Sequence, residues 1–368
     1  MNDDKIYQLR LSFLNGIGSM NAKKLLAYVG SVEGIFHEKK QNLLKIPGIG
    51  NQLANEIDNN GILKKVEEEI KFIDKHQITT YFYLDKEYPQ RLKQCEDAPI
   101  LLYYKGTANL NHSKVISIVG TRKATQYGLE NCKSLISDLV ENGHKLLIVS
   151  GLAYGIDISA HKNALKLNQD TIAVLGHGLN MLYPAAHKKI AKEIAKQGGL
   201  LTELPTSAVL DPGHFVKRNR IIAGLADATI VIESANKGGS LITAQIANSY
   251  NRDVFAYPGR VGDKYSEGCN HLIKTNQAAL IESAADIEYL LGWEIKKKNE
   301  PVQSQLFVEL TAEEELIVGI LREKGKTPID ELAILLNMPV SKVSSILLKL
   351  EFSGTVISYP GKVYASTR

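Results

Sequence analysis

Apolar and polar positions fall into three textures along the chain. Up to about His76 the apolar residues recur at helical spacing, broken by two short glycine turns, LNGIGSMNAKKLL and KIPGIGNQLANEI. The turns lie about thirty residues apart and form an internal repeat, each placing apolar–Gly–apolar–Gly between helical stretches. From Gln77 to Gly292 the pattern changes to short, nearly all-apolar runs: VISIVG, KLLIVSG, TIAVLG, LLTEL, ATIVIE and DVFAYPG. Helix-length segments such as QYGLENCKSLISDLVENG and PAAHKKIAKEIAKQGG separate them. Short apolar strands alternating with helices predict a mostly parallel sheet covered on both faces. After a polar stretch, KKKNEPVQSQ, three helical patterns (TAEEELIVGILREKG, PIDELAILLNM and PVSKVSSILLKLEFSG) precede two β runs around Pro-Gly.

These textures predict an α/β protein with a Rossmann-like, doubly wound, mostly parallel sheet at its centre. A helical domain of helix-hairpin-helix or SAM-like type precedes the sheet and a winged helix follows it. The expected divisions are 1–76, 77–292, a linker over 293–310, and 311–368. The third helix of the tail exposes only Lys342 and Lys349 as cations, which leaves DNA contact and protein contact both open for the winged helix. The glycine turns suit backbone N–H contacts to DNA phosphates, or simple packing.

Composition narrows this little. Of 368 residues, 44% are hydrophobic and 23% charged, and the net charge of +4 neither requires nor excludes a nucleic-acid partner. Cys95, Cys132 and Cys269 are far apart and lack metal-ligand spacing, as expected of free thiols in a reducing cytoplasm. No basic-then-apolar leader opens the sequence and no apolar run approaches a membrane span, so a cytoplasmic protein without membrane insertion is expected.

Candidate chemistry gathers at the strand exits. IVGTRKATQYG, VSGLAYGID, VLGHGLNMLYP and ESANKGGSLITA each place glycine where a strand leads into a helix, so that unpaired N–H groups can face an anion. None is a G-x-G-x-x-G or a Walker loop, so no dinucleotide or NTPase site is indicated and no cofactor is expected. Arg122, after Gly120 and Thr121, can clamp a phosphate while Thr121 adds a donor; the bland alternative is a surface arginine. In DPGHFVKRNRIIAGLAD, Phe215 lies beside Lys217, Arg218, Asn219 and Arg220, with no acid between Asp211 and Asp227. An aromatic ring among cations suits single-stranded nucleic acid, whose bases stack and whose phosphates need charge; the alternative is a solvated basic helix start with Phe215 in the core. Gly151 after Ser150, and Gly238, Gly239 and Ser240, read as further phosphate-loop residues. Glu203 and Glu233 near strand ends could form an acid–base pair, and Asp157 and His161 share a helical face. Neither set has a third partner by spacing, so no catalytic or metal-binding residue is assigned.

Taken in order, SIVGTRKATQYG, VSGLAYGIDISAH, TIAVLGHGLNMLYP, GHFVKRNRIIAGLADATIVIE, KGGSLITAQIA and YPGRVGDKYSEGCNHLI closely resemble the bacterial DNA-processing protein A family (DprA, also called Smf). YPQRLKQCEDAPILLYYKG looks like its lead-in. The resemblance implies a non-enzymatic protein that binds single-stranded DNA without sequence preference. It further implies protection of incoming strands in natural transformation, homodimerisation through the sheet domain, and loading of the RecA recombinase onto strands coated with single-strand-binding protein. Carried over, the DNA-binding set is Gly120, Thr121, Arg122, Gly151, Gly213, Phe215, Lys217, Arg218, Asn219, Arg220, Gly238, Gly239 and Ser240.

Three stretches depart from the family pattern, one of them Thr275-Asn276 in LIKTNQAALI, where Gln-Gly is common. Val216 follows the aromatic where many members have proline. Asp211-Pro212-Gly213-His214 stands where a lysine often precedes the aromatic, and Lys217 is a candidate substitute. The rival from another class is a nucleotide-cleaving enzyme of the lysine-decarboxylase-like (LOG) family. Its Gly-Gly-x-Gly-Thr-x-x-Glu signature is absent from KGGSLITAQ.

Overall fold

The computed structural model describes residues 3–293, 310–359 and 361–367, so the expected linker lies almost wholly outside the described residues. The chain divides into two compact units, Met1–Ile295 and Lys296–Arg368.

In the first unit a nine-stranded sheet has the order β1-β2-β6-β5-β4-β3-β7-β8-β9. Its strands are β1 (Thr79–Phe82), β2 (Leu101–Gly106), β3 (Val115–Val119), β4 (Leu147–Ser150), β5 (Asp170–Val174), β6 (Gly199–Thr202), β7 (Ala228–Val231), β8 (Asp253–Ala256) and β9 (Ala279–Leu280). Strands β3 to β9 pair in parallel, while β2 joins β6 antiparallel and carries β1 antiparallel beyond it. The chain winds outward from β3 through β4, β5 and β6, then returns to place β7 on the other side of β3. That reversal is the switch point of a doubly wound sheet, where a crevice opens beyond the carboxyl ends of the strands. The apolar runs are buried because helices cover both faces: Val149, Val174 and Val231 point into one core, and Ile116, Ile148 and Ile230 into the other. The apolar texture marks six of the nine strands. It misses β1 and β2, whose tyrosines and antiparallel pairing differ from the rest, and the two-residue β9.

The helical front packs on the β1–β2 end of the same unit, where Leu11, Leu25, Ile57 and Val66 share a core with Phe82, Leu101 and Tyr103. Its two glycine turns are built alike. Gly16 and Gly48 take φ of +77° and +89°, a region that favours glycine, and Gly18 and Gly50 are extended residues that start the following helices. Ile17 and Ile49 between them are buried. The repeat is therefore a repeat of conformation as well as sequence.

In the second unit, helices Ala312–Lys324, Ile329–Leu336 and Val340–Phe352 enclose Ile317, Leu321, Leu332, Val343 and Leu347. Thr311 and Glu314 form a reciprocal capping box at the first helix. Strands β10 (Thr327–Pro328), β11 (Val356–Tyr359) and β12 (Val363–Ser366) make an antiparallel sheet in the order β10-β12-β11, completing a winged helix. No single helix among the described residues is long and apolar enough to cross a membrane.

Candidate nucleic-acid interface

The glycine loops meet at the switch point. The backbone N–H of Thr121, after β3, donates to the carbonyl of Glu233 after β7 (2.7 Å). Gly120 lies against the helix that follows β4, where a β-carbon would come within 2.5 Å of Ile156. Here glycine is required by close approach. Helix Gly239–Ser249 begins at Gly238 without a side-chain cap, so its first N–H groups are left to the crevice. A β-carbon on Gly239 would meet nothing within 4 Å, which leaves that backbone open to a ligand. The Ser240 hydroxyl donates to Ser234 (2.8 Å) and braces the turn.

Between these loops lies a crevice of about 810 Å³. Its opposite wall is helix Pro212–Leu225, started by Asp211, whose carboxylate accepts from the Gly213 N–H, and by Pro212 in the first turn. Phe215, Arg218, Asn219 and Ile222 are spaced three and four apart, so they share one helical face, and all four line the crevice. The Phe215 ring is half-buried against Gly176, where a β-carbon would come within 2.9 Å of it. Tyr183 meets the ring edge-on at 5.5 Å and His177 at 6.5 Å.

Charge is layered. Arg122 is exposed at the mouth and pairs with no acid among the described residues. Arg218 forms the floor, donating to the carbonyl of Val174 and, at 3.4 Å, to that of Phe215. Burial lowers its guanidinium to about 10; Asp157 opposes that shift and Arg122 adds to it. Arg218 therefore remains a cation at neutral pH. Asp157 is itself pushed up by burial, against the pull of Arg218.

The other assigned residues separate. Thr121 is at the crevice, its hydroxyl accepting from the Lys123 N–H (3.2 Å). Gly151 lies under Arg218, and Gly213 is exposed at the helix start with its N–H engaged by Asp211. Lys217 is exposed and outside the crevice lining. Arg220 corrects the expectation outright. Two residues beyond Arg218 on a helix, it points elsewhere, buried in an ion pair with Glu203 and donating to the Asp97 carbonyl (2.6 Å). Lys237, Tyr183 and Asp157 line the crevice without having been assigned to DNA. The two former lie in the quoted loops ESANKGGSLITA and VLGHGLNMLYP, so a cation and an aromatic inside a glycine loop were the available signal.

The carboxylates considered for acid–base work have structural partners. Glu233 is buried and accepts from the Thr125 N–H (2.9 Å) and hydroxyl (2.7 Å), holding the start of helix Gln126–Glu141. Glu203 belongs to Arg220. His161 hydrogen-bonds Thr171 (2.7 Å) in the core, and burial holds its imidazole down at about 3, neutral. No group of three or more His, Cys, Asp or Glu side chains among the described residues could hold a metal ion.

The sequence profile of the family described as DNA recombination-mediator protein A matches residues 79–292, more than half of the chain, and that of the DprA winged helix domain matches 303–362. The chain belongs to the DprA family. Among its DprA/Smf relatives, Protein Smf of Synechocystis is 31% identical, with 99% of each chain covered. The DNA processing protein DprA of Streptococcus pneumoniae is 42% identical over 56% of this chain and 72% of its own. The X-ray structure of the Streptococcus pneumoniae DprA superimposes with a TM-score of 0.63 at 34% identity, covering 80% of this chain and 99% of that one. A Helicobacter pylori DprA structure, described as giving insights into a unique single-stranded DNA binding mode, matches with a TM-score of 0.53 at 31% identity, over 59% of this chain and 96% of its own.

Proposed function

We propose that this DprA-family chain holds single-stranded DNA, without sequence preference, in the switch-point crevice. One observation carries the reading: a half-buried aromatic ring, Phe215, and an unpaired guanidinium, Arg122, face one crevice beside an uncapped helix start. A base stacks on Phe215 while phosphate oxygens take the N–H groups of Gly239 and Ser240, the Thr121 hydroxyl and Arg122, with Arg218 charging the floor. Sequence independence follows, because every base has a stacking face and every nucleotide a phosphate. The single-stranded DNA binding described for the Helicobacter pylori relative supports single-stranded DNA as the ligand.

In the same reading the chain is a cytoplasmic, non-enzymatic homodimer. It protects incoming strands and passes them to RecA in the presence of single-strand-binding protein. The structural engagement of Glu203 and Glu233 supports a binding role over nucleotide cleavage. The test is a salt titration of oligothymidine binding. Arg122→Ala is expected to weaken binding and to lower the salt slope by about 0.7, the value of one single-strand phosphate contact. Unchanged affinity and slope reject the crevice. Base release from a panel of nucleoside monophosphates would favour the cleaving enzyme instead.

A further inference from the structure

Beyond the crevice, the loops after β3, β7 and β8 are knitted into one continuous rim. Thr125 is bonded to the Glu233 carboxylate, and the Tyr127 hydroxyl donates to the Pro258 carbonyl (2.7 Å) after β8. The Gly268 N–H donates to the Ser234 carbonyl (2.9 Å) after β7. A β-carbon on Gly268 would come within 2.6 Å of the Ala235 carbonyl, so these loops are in close contact. The rim carries Lys123, Lys237, Arg260 and Lys264, all exposed. None pairs with an acid among the described residues, whereas Arg91 and Arg220 elsewhere in the unit are held by Asp227 and Glu203. Of the acids nearby, Asp263 accepts from Ser266 (3.1 Å) and from the Tyr265 N–H (3.3 Å), which leaves Glu267 exposed.

Cations free of acid partners, carried on loops bonded to one another along one sheet edge, with Lys264 over the Tyr265 ring at 6.0 Å, are what a polyanion needs, because each phosphate neutralised releases counterions. The aromatic rings, Phe215 and Tyr183, lie at the other end, by the loops after β4 and β5. We infer that Lys123, Lys237, Arg260 and Lys264 form a phosphate track that carries the DNA strand out of the crevice across the ends of β7 and β8. Neighbouring strands lie about 4.8 Å apart, so the track runs about 10 Å past β3. This rests on the crevice holding single-stranded DNA and adds a direction: bases stack at the β4–β5 side and the backbone leaves at the β8 side. A short oligonucleotide fills the crevice alone, and a longer one reaches the track.

The test compares full-length protein with the double variant Arg260→Gln/Lys264→Gln, whose exposed side chains leave the fold intact. The probes are oligothymidines of about six and about twenty nucleotides, titrated with salt. For the long probe, the variant is expected to lose about tenfold in affinity near physiological salt and about 1.4 in salt slope, two contacts at 0.7 each. The short probe is expected to bind as to wild type. Equal affinity for the long probe overturns the track and leaves the crevice standing. Equal weakening for both probes also overturns it, since the two cations would then act inside the crevice. Failure of wild type to bind either probe removes the crevice and the track together.

Discussion

The Arg218 guanidinium occupies the space that a side chain at Gly151 would fill: a β-carbon there would lie within 2.6 Å of its Cζ. The glycine after β4 thus serves a cation more than a turn. Gly151→Ala must move either the loop or Arg218, and Arg218 is anchored to the Val174 carbonyl. The expected outcome is a loss of about 1–3 kcal/mol in stability from overpacking, read by denaturant titration. Affinity for oligothymidine falls severalfold as the floor charge shifts.

Phe215 and Arg122 are expected to fail in different ways. Phe215→Leu keeps an apolar side chain on Gly176 but removes the stacking face. Binding should weaken by about 1–3 kcal/mol with the salt slope unchanged, because no phosphate contact is lost. Fluorescence anisotropy at several salt concentrations separates this from the lowered slope of Arg122→Ala.

The sheet was legible because strands buried on both faces are written as apolar runs, and its crevice because glycines mark the strand exits. What the sequence left open was direction. Lys217, Arg218 and Arg220 are equivalent in composition, yet on a helix they point three ways: to solvent, to the crevice floor and to Glu203. Helical spacing from Phe215 selects Arg218 and Asn219, and it could have excluded Arg220. The partners of Glu203 and Glu233 were beyond reach, because Thr125 and Arg220 meet them only through tertiary packing. The same holds for β1 and β2, whose place at the sheet edge depends on the helical front packing behind them.

Glu69, on helix Leu63–His76 of that front, is buried and accepts from both the N–H (3.0 Å) and the hydroxyl of Thr206. The Thr206 carbonyl in turn accepts from Asn180 (2.9 Å), in the loop that carries Tyr183 to Phe215. Glu69→Ala leaves the Thr206 N–H without its partner and should cost about 1–3 kcal/mol. Burial raises the Glu69 carboxyl above its usual value, against the Thr206 hydrogen bonds. The folded state therefore holds this proton more tightly than the unfolded state does. The stabilisation is complete below the ordinary glutamate range and is lost as pH rises through the raised value. Wild type should lose stability relative to Glu69→Gln over that rise, which paired thermal melts at acid and neutral pH would show; parallel curves would contradict it.

The winged helix is expected to contribute little to strand binding. Its third helix presents Lys342, which is paired with Glu313, leaving Lys349 as the other cation on that helix. Lys324 is likewise paired with Glu331. Across the described residues of this unit, Arg322, Lys324, Lys326, Lys342, Lys349 and Lys362 are outnumbered by Glu313, Glu314, Glu315, Glu323, Asp330, Glu331 and Glu351. The same helix exposes Leu348 and Phe352, one turn apart, the latter at 84%. Such a face suits a protein better than a polyanion. A chain ending after Glu300 should therefore keep oligothymidine affinity within about twofold and keep the full salt slope. If the truncated chain binds as before but no longer promotes RecA filament formation on strands coated with single-strand-binding protein, the winged helix acts through protein contact. A fall in salt slope on truncation would instead place DNA phosphates on Lys349 and its neighbours.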